Sequence, residues 1–318
     1  MIATTLVDSL LAAPIIAFVV ALVATALKFE IRLPEGLYAI LSTYLLLAIG
    51  LKGGRALADT APGELWKPLL AAIIIGVVTP IVAFVLFRAV SRLDIVNSSA
   101  LAAHYGSVSA VTFTVVLSTL DSRGITYEGY VAGLLAVLEI IGILVALLLA
   151  RGSSVGMKWG TVLGEVVRGR SIALLTVGLV IGLVVGPERL SSTDPLFVGL
   201  FAGVLTLFLI EMGVIAAERL KDIRSAGFGL VALAIVIPLL NGAIGGVLGA
   251  LAGMSTGGVA VMATLAASAS YIAAPAAVRI ALPKASPGLY VTASLGITFP
   301  FNLTIGIPLY IALAEALT

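Results

Sequence analysis

The chain has 318 residues, 61% of them hydrophobic and only 11% charged, with a net charge of +2. A soluble domain carries about 25% charged residues, so a mean hydropathy of +1.22 places this chain in a bilayer. Cysteine is absent and His104 is the one histidine, which excludes disulfides, thiolate metal sites, a cysteine nucleophile and a histidine-rich metal cluster.

A helix needs about 20 apolar residues to cross the hydrocarbon core. Ten segments are candidates, at roughly 9–27, 37–54, 67–90, 98–119, 128–150, 171–186, 194–217, 225–251, 257–280 and 288–315. The first lacks the basic lead of a signal peptide and is long enough to be a span. Pro34, Pro62, Pro187 and Pro287 fall between spans, where helix breakers belong. The longest polar connection, 151–170, separates spans five and six and divides the chain into residues 1–150, a linker, and residues 171–318.

Loop charge sets the expected orientation. With the N-terminus outside, 13 of the 18 Lys and Arg lie in inside loops, Lys28, Arg32, Arg151, Lys158 and Arg170 among them. That bias predicts external termini and a cytoplasmic 151–170 linker. Five spans per half make the halves inverted relative to each other. Internal similarity agrees. Residues 45–57 lie over 207–220 with one gap, and Gly106-Ser107-Val108-Ser109 lies over Ala267-Ser268-Ala269-Ser270 at nearly the same offset. The expectation is an all-α polytopic protein, ten transmembrane helices in a 5+5 inverted repeat.

The second of those matches falls inside spans four and nine. Weak, polar sequence at membrane depth is tolerated where it lines a cavity, and a matched pair of such interruptions points to a transporter's binding site. Helices broken at Gly106, Ser107, Val108 and Ser109, and at Ser268, Ala269 and Ser270, would present two N-termini with free N–H groups to an anion. Their serines would cap the half-helices and donate to the ligand. The opposing helix C-termini offer carbonyls that suit sodium. The competing reading of these small residues is tight helix packing. Pro275 would open the second half of span nine and carry the break past Ser270.

Glu139, mid-span, is a candidate cation ligand or proton carrier, against the plainer role of a hydrogen-bonded structural acid. Glu211 is weighed the same way. Asn241 and Asn302 are oxygen donors for sodium or interhelical glue. His104 either touches substrate or satisfies nearby backbone. The glycine stripes 178-182-186 and 245-249-253 read as packing surfaces. Trp66, Trp159, Tyr127 and Tyr290 read as interfacial anchors. No Walker loop, dinucleotide fingerprint, metal-ligand set or nucleophile elbow is present, so the chain reads as no enzyme. A secondary transporter or a channel is left, and paired broken helices favour the transporter.

The run His104-Tyr105-Gly106-Ser107-Val108-Ser109-Ala110-Val111-Thr112-Phe113, followed by Leu138-Glu139-Ile140, resembles the sodium-dependent bicarbonate permeases of the SbtA family. Residues 267–275 and Thr298-Phe299-Pro300-Phe301-Asn302 resemble that family's second-half motifs, and the likeness covers essentially the whole chain. It implies a gate and a core domain drawn from both repeats, a homotrimer, and bicarbonate held between helix ends with sodium beside it. Gly106, Ser107, Val108 and Ser109 would form one strand of that site and Ser268, Ala269 and Ser270 the other. Sodium donors would come from around Ser107 and Ala269, with Asn302 and Glu139 as side chains. Ile140-Ile141-Gly142 stands where family members often have a proline. The short central linker weighs against the PII-like regulator that some members dock. The expected function is sodium-coupled bicarbonate symport into the cytoplasm across a bacterial inner membrane, with no cofactor besides the coupling ion and no nucleic-acid partner. The alternative is a sodium- or proton-coupled carrier of another small anion.

Overall fold

A computed structural model describes residues 12–34, 36–58, 60–150, 159–223 and 226–318. The secondary structure of these residues is helical, with no strand among them. The helices are α1 (Ala13–Ala26), α2 (Leu37–Ala58), α3 (Pro62–Ala89), α4 (Ile95–Gly106), α5 (Ala110–Ser122), α6 (Val131–Leu149) and α7 (Trp159–Val167). There follow α8 (Arg170–Leu190), α9 (Phe201–Ile223), α10 (Phe228–Leu251), α11 (Thr256–Ala267), α12 (Ala273–Ala281) and α13 (Pro287–Leu317).

Seven of the helical stretches are long and apolar enough to cross a membrane, or eight if the bent pair 160–167 and 170–186 is one span. The ten expected segments each contain helix, yet α1 and α11 fall short of a full span by length. Of the expected 151–170 linker, residues 151–158 lie outside the described residues, and Trp159–Val167 is the helix α7. Span six, Arg170–Gly186, has its expected extent, and α8 kinks at Gly186, whose φ of +75° a side-chain-bearing residue rarely adopts. The seventh span starts later than expected because residues 191–199 form 3₁₀ and wide turns. In α13, wide turns at Thr292–Thr298 and Asn302–Gly306 flank Pro300, which has no N–H for an ordinary helical bond.

Burial follows from the bilayer as solvent. Ile73, Ile74, Val77 and Ile81 of α3 and Val177, Val180 and Val184 of α8 are exposed, as lipid-facing residues are. The α4 segment from Ser98 to Gly106 is fully enclosed. Its neighbours α3 and α6 pack against it, as α10 and α13 pack against α11. Two further pairs run side by side, α2 with α8 and α1 with α9.

Glycines set how closely these pairs approach. A Cβ on Gly54 would lie 2.1 Å from the Leu179 carbonyl oxygen, and one on Gly182 would lie 2.5 Å from that of Leu51. On α9, a Cβ on Gly213 would lie 2.5 Å from the Phe18 carbonyl oxygen. Of the two stripes, Gly178 and Gly182 pack against α2 and Gly245 and Gly249 against α11, whereas Gly186 and Gly253 meet nothing within 4 Å and serve as positive-φ turns instead.

Packing bears on three sequence expectations. Tyr290 is not an interfacial anchor: it is buried and stacks on His104 at a centroid distance of 4.4 Å. Trp66 is exposed at the start of α3, as an anchor should be. Glu211 has structural partners. Its Oε2 accepts the Leu33 backbone N–H at 3.2 Å, and Arg32 lies 4.0 Å from Oε1.

Candidate substrate site at two helix breaks

The two interruptions have the same local chemistry. Helices α4 and α11 are 12 residues each. Asp94 caps the start of α4 by accepting the Asn97 N–H, and Ser255 caps α11 by accepting the Gly258 N–H. Both helices end on a serine in extended conformation, Ser107 and Ser268. The serine two residues on accepts a first-turn N–H of each following helix: Ser109, the N-cap of α5, from Thr112 at 3.2 Å, and Ser270, two residues before the Ile272 N-cap of α12, from Ala274 at 3.2 Å. The break in the second half extends to Ile272, with Pro275 in the first turn of α12.

The breaks meet. The Ser109 N–H donates to Ser268 Oγ at 2.9 Å, and the Ser270 N–H donates to the His104 carbonyl at 2.8 Å. Ser268 Oγ in turn donates to the Leu265 carbonyl at 2.8 Å. These bonds satisfy backbone groups that unwinding the helices would otherwise leave bare in an apolar medium.

The end of α4 is also held sterically. A Cβ on Gly106 would sit 2.5 Å from Pro80 Cβ, and a Cβ on Gly142 would sit 1.8 Å from the Gly106 carbonyl oxygen. Glycine at both positions therefore lets α3, α4 and α6 converge on the break. At the end of α11, Asn302 Nδ2 donates to the Ala267 carbonyl at 2.9 Å, and Tyr310 donates to Asn302 Oδ1 at 3.0 Å.

A small cavity opens where the breaks face one another. Val108, Ser109, Ser270 and Glu139 line it, together with Ser171 and Tyr271. Glu139 is 2% exposed and its Oε2 has no hydrogen-bond partner. Ser107 Oγ is likewise buried without a partner. Ala269 is buried within the second break. His104 Nδ1 bonds the Ala100 carbonyl at 2.7 Å, so the ring's packing is tied to its own helix while its carbonyl serves the opposite break.

Pattern reading missed four residues here. Gly142 had a signal, since it sits one turn beyond Glu139 on the same face of α6. Tyr271 directly follows Ser270 inside the second break, whereas Pro80 and Ser171 had no such signal, because only tertiary packing brings them to the breaks. Among the described residues no three His, Cys, Asp or Glu cluster to hold a metal ion.

Two buried helices interrupted at matching serines, with their breaks hydrogen-bonded to each other beside a small polar cavity, lie within a multi-pass helical membrane protein. Residues 13–315 match the description of the Na+-dependent bicarbonate transporter superfamily, and the chain belongs to that family. No curated protein matches the chain.

Proposed function

We propose that the protein is a secondary transporter coupling bicarbonate entry to sodium, by alternating access of one site between the two breaks. The carrying observation is the pair of cross-bonded interruptions, each with a half-helix, its first turn bonded to a serine, facing the other. Helix N-termini favour anions without a fixed cation. No Lys or Arg lies in either break, 107–109 or 268–272, so helix ends and a co-bound sodium must offset the substrate's charge. In this reading Gly106, Ser107, Val108, Ser109, Ser268, Ala269 and Ser270 hold bicarbonate. Carbonyls near Ser107 and Ala269, with Asn302 and Glu139, serve sodium.

The same proposal includes the 5+5 inverted repeat. The matched lengths and caps of α4 and α11 support it, as do the mirrored pairings of α2 with α8 and α9 with α1. Gly50 and Gly213, aligned in the sequence match, are both points of close helix approach. External termini, an inner-membrane location and a homotrimer belong to this reading as well.

Uptake of labelled bicarbonate into proteoliposomes tests it, with and without an inward sodium gradient. Gradient-driven accumulation is expected. Equal, sodium-blind equilibration would exclude symport. A second reading, proton coupling, is favoured by the unpartnered carboxylate of Glu139 on the cavity wall. Glu139→Gln separates the two: a sodium ligand loses sodium dependence, whereas a proton group changes pH dependence and leaves sodium coupling intact.

A further inference from the structure

Helices α10 and α11 form an antiparallel hairpin whose register can be followed turn by turn. Gly249 packs against Val259 and Met262, and Gly245 against Met262 and Ala266. One more turn on each helix brings Asn241 opposite the break that follows Ala267. The next residue, Gly242, packs on the ring of Tyr310, and Tyr310 holds Asn302 against the Ala267 carbonyl. Asn241 is therefore set beside the C-terminal end of α11.

Asn241 is 1% exposed, and neither its Oδ1 nor its Nδ2 has a hydrogen-bond partner. A buried amide with both ends unpaired is costly, and Asn302, the other buried asparagine nearby, has both ends used. The neighbourhood of Asn241 is electronegative. The last carbonyls of a helix lack intrahelical donors and carry about half a negative charge. An amide oxygen beside such carbonyls suits a hard cation. The residues named here include no carboxylate, so the donor set is neutral and fits a single positive charge.

The first half does not repeat this feature. By the sequence offset that sets Gly106 against Ala267, Asn241 corresponds to Pro80, and Pro80 packs on Gly106 through its ring. A side chain that fills space in one half is a polar donor in the other.

We propose that Asn241, with the C-terminal carbonyls of α11, forms a monovalent-cation site at the second break. The inference rests on the sodium-coupled reading and assigns to that coupling a donor on α10. A cation there would neutralise the helix C-terminus next to the anion-binding half-helix, which makes sodium and bicarbonate binding mutually supportive.

The test is sodium-dependent thermal stabilisation of the purified full chain, at constant ionic strength with choline replacing sodium. Asn241→Leu keeps the branched shape and removes the oxygen, and should raise the half-maximal sodium concentration about ten- to hundredfold. Asn241→Asp places a charge in the site and should lower it about tenfold, which decides the matter if the leucine variant does not fold. A wild-type midpoint in either folded variant overturns the assignment, because a purely packing role shifts melting temperature without shifting sodium response. Loss of any sodium response in the wild-type protein would instead overturn sodium coupling itself.

Discussion

The backbone N–H of Ser109 donates to the hydroxyl of Ser268 over 2.9 Å, joining residues 159 positions apart. Ser268 thus ties one broken helix to the other, while Ser107, the matching residue of the first break, has a free hydroxyl. The two serines should respond differently to the same change. Ser268→Ala leaves a buried N–H without its acceptor and should cost about 1–3 kcal/mol. Ser107→Ala should cost little stability and act mainly on bicarbonate uptake. Melting temperature and uptake measured for both variants check this; equal stability losses would show that the breaks are not held together by this bond.

Gly142 is the point where α6 touches the end of α4. An alanine methyl there would lie 1.8 Å from the Gly106 carbonyl oxygen, which is backbone and has no easy way to yield. Gly142→Ala should destabilise by about 1–3 kcal/mol and displace the first break, with loss of uptake. Gly133→Ala on the same helix meets nothing within 4 Å and should be tolerated. Normal uptake by the Gly142 variant would contradict this placement of α6.

Asp94 gives the structure an acid-sensitive cap. Burial disfavours its charged form, but hydrogen bonds from the Asn97 backbone and side chain outweigh that and hold its pKa below the usual value. A folded-state pKa below the unfolded one means the cap's stability is complete above about pH 4 and is lost as pH falls through the folded value. Asp94→Ala should cost about 1 kcal/mol at pH 7. The gap to wild type should narrow below about pH 4 in thermal melts, and a pH-independent gap would mean the charge of Asp94 does not matter.

Linkage constrains the coupling. If sodium raises bicarbonate affinity by some factor, bicarbonate must raise sodium affinity by the same factor. Titrating each ligand at saturating and zero concentrations of the other measures both. Independent affinities would remove the basis for symport through these breaks.

Orientation is accessible because the chain has no cysteine of its own. A cysteine placed at Lys158 should resist an impermeant thiol reagent in intact cells and react after permeabilisation. Labelling from outside would reverse the topology.

Hydropathy and spacing located the helical segments and marked both breaks, because lipid requires long apolar runs and penalises polar interruptions wherever they occur. The serines read as caps include two that do accept a first-turn N–H, Ser109 and Ser270, since capping is a local property of three or four consecutive residues. The glycine stripes, Gly186 and Gly253 apart, were legible as packing surfaces for a similar reason: small residues at helical spacing leave one face flat. None of this told which surface meets which. That Ser109 finds Ser268, that Gly142 meets Gly106, that Tyr290 lies under His104, and that Glu211 anchors Leu33 were decided by tertiary packing. The partners are far apart in sequence and leave no periodic trace. The kink at the end of span six and the wide turns before span seven were hidden as well, because φ near +75° at Gly186 and a local change of helical pitch alter direction without altering hydropathy. Local composition records what each segment needs from its surroundings, and only the folded chain determines which neighbour supplies it.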